Sequence, residues 1–96
     1  MSEHEIEALL AVVRALILEV MDEDEEELEV TLESHFQRDL ELESIELIAL
    51  GDLLVERYGE RLDFAGWLTQ LTLDDLAELK VGDLVAWLSE RLKAQP

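Results

Sequence analysis

The sequence predicts an all-α fold: a small bundle of three main helices with one or two short ones. Three segments carry apolar residues at the 3–4 spacing of an amphipathic helix, and no segment alternates with the period of two that is typical of a strand. The chain has 96 residues, of which 49% are hydrophobic, so it is long enough for one folded domain and too short for two. We therefore expect a single helical domain over residues 1–96.

The first helix is predicted over residues 3–21. Its apolar side chains follow the i, i+3, i+4, i+7 rule: Ile6, Leu9, Leu10, Val13, Leu16, Ile17 and Val20. Ser2 and Glu5 have the spacing of a capping box, which would satisfy free N–H groups of the first turn. An unbroken acidic block follows at 22–27, and the mutual repulsion of its side chains predicts a solvated connector.

The middle of the chain predicts an anchored loop and then the second helix. Residues 28–42 lack sustained periodicity, so we expect an ordered loop that Phe36 and Leu40 anchor to the core. The second helix is predicted over 44–58, and Gly59 can close it. One stripe of this helix should face the core: Leu47, Leu50, Leu54 and Tyr58.

The last third of the chain predicts two short helical segments and a final helix. The short segments cover 63–70 and a stretch from Thr72, where Asp75 has capping-box spacing. The final helix is predicted over 81–93, because apolar residues recur there at the 3–4 spacing. Trp67 and Trp87 lie in apolar contexts, which favour core packing over ligand stacking.

Composition excludes several classes of function. Seven basic residues against 25 acidic ones give a net charge of −18, which repels phosphate backbones and anionic membranes. We expect neither nucleic acid nor a membrane as a partner. There is no cysteine, no glycine-rich phosphate loop, no secretory signal and no apolar stretch of the ~20 residues that span a bilayer. A cytoplasmic monomer is the expectation.

Metal binding and catalysis lack a suitable pattern. A twelve-residue calcium loop starting at Asp22 would place Asp24 and Glu33 at ligand positions, but Glu27 occupies the sixth position, where the sharp turn needs glycine. His4 and His35 are far apart and form no metal-ligand or triad spacing. We expect no metal site and no enzyme activity of the chain itself.

One face of the second helix offers apolar groups to solvent. Ile45 and Ile48 lie opposite the core stripe, within a frame of acidic side chains: Glu46, Asp52 and Glu56. Such a surface suits a protein partner. Small bundles also expose some isoleucine without any function, and the pattern alone leaves both interpretations open.

Ser44 places a hydroxyl at the start of this helix. Unpaired N–H groups and the helix dipole favour a phosphate ester there. Serine is also a common N-cap, so its position alone favours a purely structural role. The sequence around Ser44, in contrast, favours a functional role.

The run Asp39-Leu40-Glu41-Leu42-Glu43-Ser44-Ile45-Glu46-Leu47-Ile48 resembles the phosphopantetheine attachment motif of acyl carrier proteins. That motif is commonly Asp-Leu-Gly-x-Asp-Ser-Leu-Asp before an apolar helix. Upstream, Thr31-Leu32 and Phe36 resemble the first loop of the family, and residues 79–85 are similar to the opening of its final helix. The resemblance covers almost the whole chain and implies an acyl-carrier-like four-helix bundle.

The resemblance implies a carrier rather than a catalyst. Ser44 would receive 4′-phosphopantetheine from coenzyme A through a phosphopantetheinyl transferase, and the thiol of that arm would hold acyl groups as thioesters. The partners would be acyl-loading and acyl-processing enzymes, such as ketosynthases and acyltransferases, of polyketide, fatty-acid or related secondary-metabolite biosynthesis. Their expected docking residues are Glu43, Ile45, Glu46, Ile48, Asp52 and Glu56. A short acyl chain is expected to lie against Leu50, Leu54 and Leu84.

The sequence departs from the family pattern at two positions of the motif. Glu43 replaces the usual aspartate, which would lower loading by a transferase that positions its metal or the serine through that carboxylate. Glu41 replaces the usual glycine, which matters only if the backbone needs a positive φ there. The connection between Tyr58 and Val81 is also longer than in carriers of fatty-acid synthesis, which favours a specialised carrier but is equally consistent with a loop extension that has no function.

An alternative of another class stays open. An acidic helical adaptor would bind a basic protein partner through the same helix face without a cofactor. The two interpretations differ in whether Ser44 is modified.

Overall fold

The structure is a computed structural model that describes residues 3–24, 26 and 28–94. Within these residues the chain forms five α-helices and one 3-10 turn. The helices are α1 (Glu3–Met21), α2 (Ser44–Tyr58), α3 (Phe64–Thr69), α4 (Leu73–Ala77) and α5 (Val81–Ala94), and the turn is Glu60–Leu62. Over these residues there is no strand, only an isolated bridge between His35 and Lys80. The all-α prediction is confirmed, with the first two helices at their predicted bounds.

The core lies between the three longest helices, because α1 packs against both α2 and α5. Each helix contributes side chains with no exposed surface, among them Val13, Ile17, Leu50, Leu54, Leu84 and Leu88. Full burial of each such side chain stabilises the fold by about 1.5–3 kcal/mol relative to exposure. Leu50 and Leu54 confirm the predicted stripe of α2, while Leu47 and Tyr58 at its ends are only partly buried.

The loop between α1 and α2 is pinned to the start of α5. Phe36 and Leu40 are 1% and 2% exposed, which confirms them as anchors. The Phe36 N–H donates to the Leu79 carbonyl at 3.0 Å, and the N–H of Val81 donates to the Ser34 carbonyl at 2.8 Å. These bonds hold the residues that lead into α2 against the bundle.

The acidic connector is exposed where the structure describes it. Asp22, Asp24 and Glu26 are all solvent-exposed, as expected for repelling carboxylates. Residues 25 and 27 of the block lie outside the described residues. So does Ser2, and with it the capping box predicted at the start of α1.

The connection from Tyr58 to Val81 folds into the 3-10 turn, α3 and α4. Asp63 caps α3 at a positive φ of 48°, and its carboxylate accepts the Gly66 N–H at 3.2 Å. The capping box predicted at Thr72 is present: the N–H of Thr72 donates to Asp75 Oδ2 and the N–H of Asp75 donates to Thr72 Oγ1, both at 3.0 Å. The longer connection is therefore folded and extends the bundle on one side.

Candidate functional site

Ser44 is the first residue of α2, and its neighbours cap the helix. The N-cap is Glu43, with extended backbone at φ −83° and ψ 162°. Glu43 and Glu46 form a capping box, in which the Glu46 carboxylate accepts the Glu43 N–H at 3.0 Å. The interpretation of Ser44 as the N-cap is therefore wrong, because the N-cap is the preceding residue, Glu43. Glu46 supplies the acceptor for the N–H of the cap residue, and the serine is not needed for it.

The Ser44 hydroxyl consequently takes no part in the capping of α2. Its residue is exposed, and within the described part of the chain the hydroxyl has no hydrogen-bond partner. N–H groups in the first turn of a helix lack intrahelical acceptors, so they can stabilise an anionic group attached at this point. The position suits a covalent phosphate ester sterically as well as electrostatically.

An apolar cavity of about 150 Å³ opens beside Ser44. Its walls come from the anchored loop and from α2, α3 and α4, and are formed mainly by Phe36, Leu42, Leu47, Ile48, Leu68 and Leu76. An apolar cavity of that size holds a benzene-sized group. A smaller cavity of about 90 Å³ adjoins it along α2 and shares Ile48 and Leu68. The hydroxyl thus lies at the edge of an apolar space.

The residues expected to surround an acyl chain lie deeper. Leu50, Leu54 and Leu84 have no exposed surface and belong to the core, while the cavity at Ser44 is lined by other side chains. Sequence reasoning did not identify Leu68 and Leu76, because they reach the cavity from short helices far along the chain. The acyl-chain role of the three core leucines stays a prediction.

Gly51 explains how α3 comes so close to α2. A Cβ at this position would overlap the ring of Phe64, the first residue of α3. Gly51 and Phe64 also line the smaller cavity together with Ile48 and Leu68. A glycine at position 51 is therefore needed for α3 to pack closely enough on α2 to line the smaller cavity.

The six expected docking residues lie along the outer side of α2 and at its start. Ile45 is 72% exposed and Ile48 is 57% exposed, which confirms that they face away from the core. Glu43, Asp52 and Glu56 are exposed and Glu46 is half-buried. The arrangement combines two apolar side chains with four carboxylates on one surface, which suits a basic protein surface with an apolar centre.

Glu41 adopts a left-handed backbone conformation, with φ at 55°. It lies just before the buried Leu42, whose N–H donates to the Phe36 carbonyl at 2.8 Å. Acyl carrier proteins, whose attachment motif this segment resembles, commonly have glycine at the matching position. The backbone does take a positive φ there, in spite of the glutamate side chain.

A polar cluster links the loop to the end of α4. Asp39 Oδ2 accepts the backbone N–H of His35 at 2.7 Å and lies 3.0 Å from His35 Nδ1, and these two hydrogen bonds hold the pKa of Asp39 below its ordinary value. Arg38 Nη2 donates to Glu78 Oε1 at 3.0 Å. Sequence analysis did not identify this cluster, although the i, i+4 spacing of His35 and Asp39 was a usable signal.

The described residues contain neither a cluster of metal-binding side chains nor a membrane-spanning helix. No three histidine or carboxylate side chains come together there as a metal site requires. In the same part of the chain no helix has the length and apolar character that a membrane span needs. His4 lies exposed near the start of α1.

Comparisons with protein-family models, curated proteins and solved structures produced no match in any of the three. The fold and the site together define an acidic all-α bundle with an exposed serine beside an apolar cavity.

Proposed function

We propose that the protein is an acyl carrier protein, which carries acyl intermediates as thioesters on a 4′-phosphopantetheine arm attached to Ser44. One observation carries the proposal: an exposed, unbonded serine hydroxyl in the first turn of α2, at the edge of an apolar cavity of about 150 Å³. The resemblance of residues 39–48 to the carrier attachment motif supports it. The pathway would be polyketide, fatty-acid or related secondary-metabolite biosynthesis.

The loading step needs only the hydroxyl from this chain. Ser44 Oγ would attack the phosphorus of coenzyme A that bears the pantetheine. The new oxygen–phosphorus bond forms as the bond to adenosine bisphosphate breaks, and the serine proton passes to the phosphopantetheinyl transferase. Because Glu43 and Glu46 already cap α2, modification of Ser44 removes no hydrogen bond from the helix. The chain is thus the substrate of partner enzymes and not an enzyme.

The cavity offers a place for the cargo. A short acyl group that folds back onto the protein would meet Leu47, Leu68 and Leu76 before it reached the core leucines. Burial there would stabilise it by about 0.8 kcal/mol per methylene group. This weak retention suits an intermediate that has to be released again to the next enzyme.

The charge supports transient docking. Enzymes of acyl loading and processing, such as acyltransferases and ketosynthases, would bind the α2 face through basic patches. Electrostatic attraction raises the rate of encounter more than the lifetime of a complex. A net charge of −18 therefore favours the rapid exchange that a shuttle among several enzymes requires.

Intact-protein mass spectrometry tests the proposal. The protein is incubated with coenzyme A, Mg²⁺ and a promiscuous phosphopantetheinyl transferase, beside the variants Ser44→Ala and Ser89→Ala. Ser89 is a matched control, since it is a serine that is only 3% exposed on α5. We expect the mass of one phosphopantetheine group on the wild type and on Ser89→Ala and none on Ser44→Ala. No mass gain, also with a transferase from the source organism, would overturn the proposal.

The exposure of Ile45 and Ile48 favours a second candidate function, the cofactor-free acidic adaptor. In that case the chain gains no mass with any transferase. Binding of its basic partner would then survive Ser44→Ala and would be lost on Ile48→Ser. Loading at Ser44 decides against this candidate.

A further inference from the structure

A second concave surface, separate from the Ser44 cavity, carries both tryptophans of the chain. It is a groove of about 570 Å³, within the usual volume range of ligand sites. We call it the tryptophan groove and define it by Trp67, Trp87, Asp75, Glu78, Asp83 and Glu90. None of its lining residues lines the cavity at Ser44.

The two indoles form a rigid aromatic surface. They stack with ring centroids 4.8 Å apart and planes at 14°. Each also meets the buried Phe64 ring edge to face, Trp67 at 5.7 Å and Trp87 at 5.9 Å between centroids. Both pack against the core, as the sequence predicted, and both also remain partly exposed. Aromatic side chains held in this way contact a ligand without the entropy loss of becoming ordered on binding.

Four carboxylates surround this aromatic surface, and three of them are held in place. Asp75 accepts the N–H of Thr72, Asp83 accepts the N–H of Lys80, both at 3.0 Å, and Glu78 accepts from Arg38. The fourth, Glu90, is exposed. None of the described residues that line the groove is cationic. The groove is therefore an aromatic surface with an acidic rim, in which one of the four carboxylates, Glu78, is paired with Arg38.

We propose that the tryptophan groove binds an arginine-bearing segment of a partner protein. A guanidinium group stacks on indole faces through cation–π attraction and donates hydrogen bonds to carboxylates at the same time. In the groove the tryptophans supply the stacking surface and the carboxylates supply the hydrogen-bond acceptors. A compact lysine ammonium would use the aromatic surface less well. The groove and the α2 face are distinct, so the protein can engage two partner surfaces.

Intrinsic tryptophan fluorescence reports on the groove directly, because both tryptophans lie in it. The probe is the acetylated and amidated peptide Leu-Arg-Ala-Arg-Leu, titrated at about 0.15 M salt to screen diffuse attraction. The control peptide carries citrulline, the neutral isostere, in place of each arginine. We expect a saturable spectral change with the arginine peptide and none with the citrulline peptide.

Two matched variants test the location of binding. Glu90→Gln removes one rim charge of the groove, and Glu19→Gln removes one charge from the exposed side of α1 with the same change in net charge. We expect Glu90→Gln to weaken binding about threefold to tenfold and Glu19→Gln to leave it unchanged. Both residues are exposed, so both variants should fold, which circular dichroism checks.

The outcomes separate the proposal from nonspecific attraction to an acidic protein. Equal weakening by the two variants, equal response to both peptides, or no fluorescence response would each overturn it. Ser44→Ala should bind the arginine peptide like the wild type. Failure of peptide binding therefore leaves the loading experiment at Ser44 unaffected, and failure of loading leaves the groove unaffected.

Discussion

The Glu46 carboxylate accepts the backbone N–H of Glu43 at 3.0 Å, so that these two residues enclose Ser44 in a capping box and leave its hydroxyl free. The start of α2 is thereby stabilised without the serine. Under the proposed function, Ser44 would carry its prosthetic group at the helix terminus with no loss of helix stability. The separate contributions of Ser44 and Glu46 to the stability of the helix can be measured by substitution.

We expect Ser44→Ala to change the free energy of unfolding by less than about 0.5 kcal/mol, as for a surface substitution outside a cap. Glu46→Ala should lower it by about 0.5–1 kcal/mol, because the Glu43 N–H loses its acceptor. Glu46→Gln is the control, since its amide oxygen can still accept. Urea denaturation measures all three. A loss of about 1 kcal/mol in Ser44→Ala would mean that the serine does cap the helix.

We expect Glu41→Gly to stabilise the protein by up to about 1 kcal/mol. The φ of 55° costs a residue with a Cβ about 1–2 kcal/mol, which glycine avoids, although glycine also makes the unfolded chain more flexible. Glu41→Ala removes the same charge and keeps the Cβ. If alanine stabilises as much as glycine in urea denaturation, relief of charge repulsion and not backbone strain is the cause.

The contribution of Asp39 to stability should depend on pH. Hydrogen bonds from the backbone and ring of His35 lower its folded-state pKa below the ordinary value of 3.8. The stabilisation is therefore fully present above pH 3.8 and is lost as pH falls through the lowered pKa. We expect the difference in unfolding free energy between wild type and Asp39→Asn to shrink as the pH falls below 3.8. A difference that is the same at every pH would contradict this.

Gly51→Ala should destabilise the protein by about 1–3 kcal/mol, because the added methyl group overlaps the Phe64 ring. The clash outweighs the gain of about 1 kcal/mol in helix propensity. Since Phe64 contacts both tryptophans, tryptophan fluorescence should change as well. A double-mutant cycle with Phe64→Leu checks the cause. Additive effects of the two substitutions would show that Gly51 and Phe64 are not coupled.

Added salt should raise the melting temperature. Twenty-five acidic residues against seven basic ones leave most carboxylates to repel one another, and salt shortens the range of that repulsion. Millimolar Mg²⁺ should stabilise more than Na⁺ at equal ionic strength, because a divalent ion screens clustered carboxylates better. Calorimetry in both salts measures the effect. A melting temperature that responds to neither would show that the charges are well dispersed.

The local features of the sequence predicted the fold to a large extent. Periodicity identified α1 and α2 at their observed bounds, and spacing identified the capping box of Thr72 and Asp75. Phe36 and Leu40 were recognisable as anchors because bulky apolar residues in an acidic chain have few alternatives to burial. These features depend on hydrogen bonds and side-chain faces within a few residues, which a sequence displays directly.

The sequence by itself determined the helical class, the acidic surface of α2 and the position of Ser44 at the start of a helix. Only the tertiary structure decided that Leu68 and Leu76 form the cavity beside that serine and that Trp67 stacks on Trp87. Each of these depends on contacts between residues far apart in the chain. Such contacts arise from the way that short helices pack onto the bundle, and no local periodicity encodes that packing.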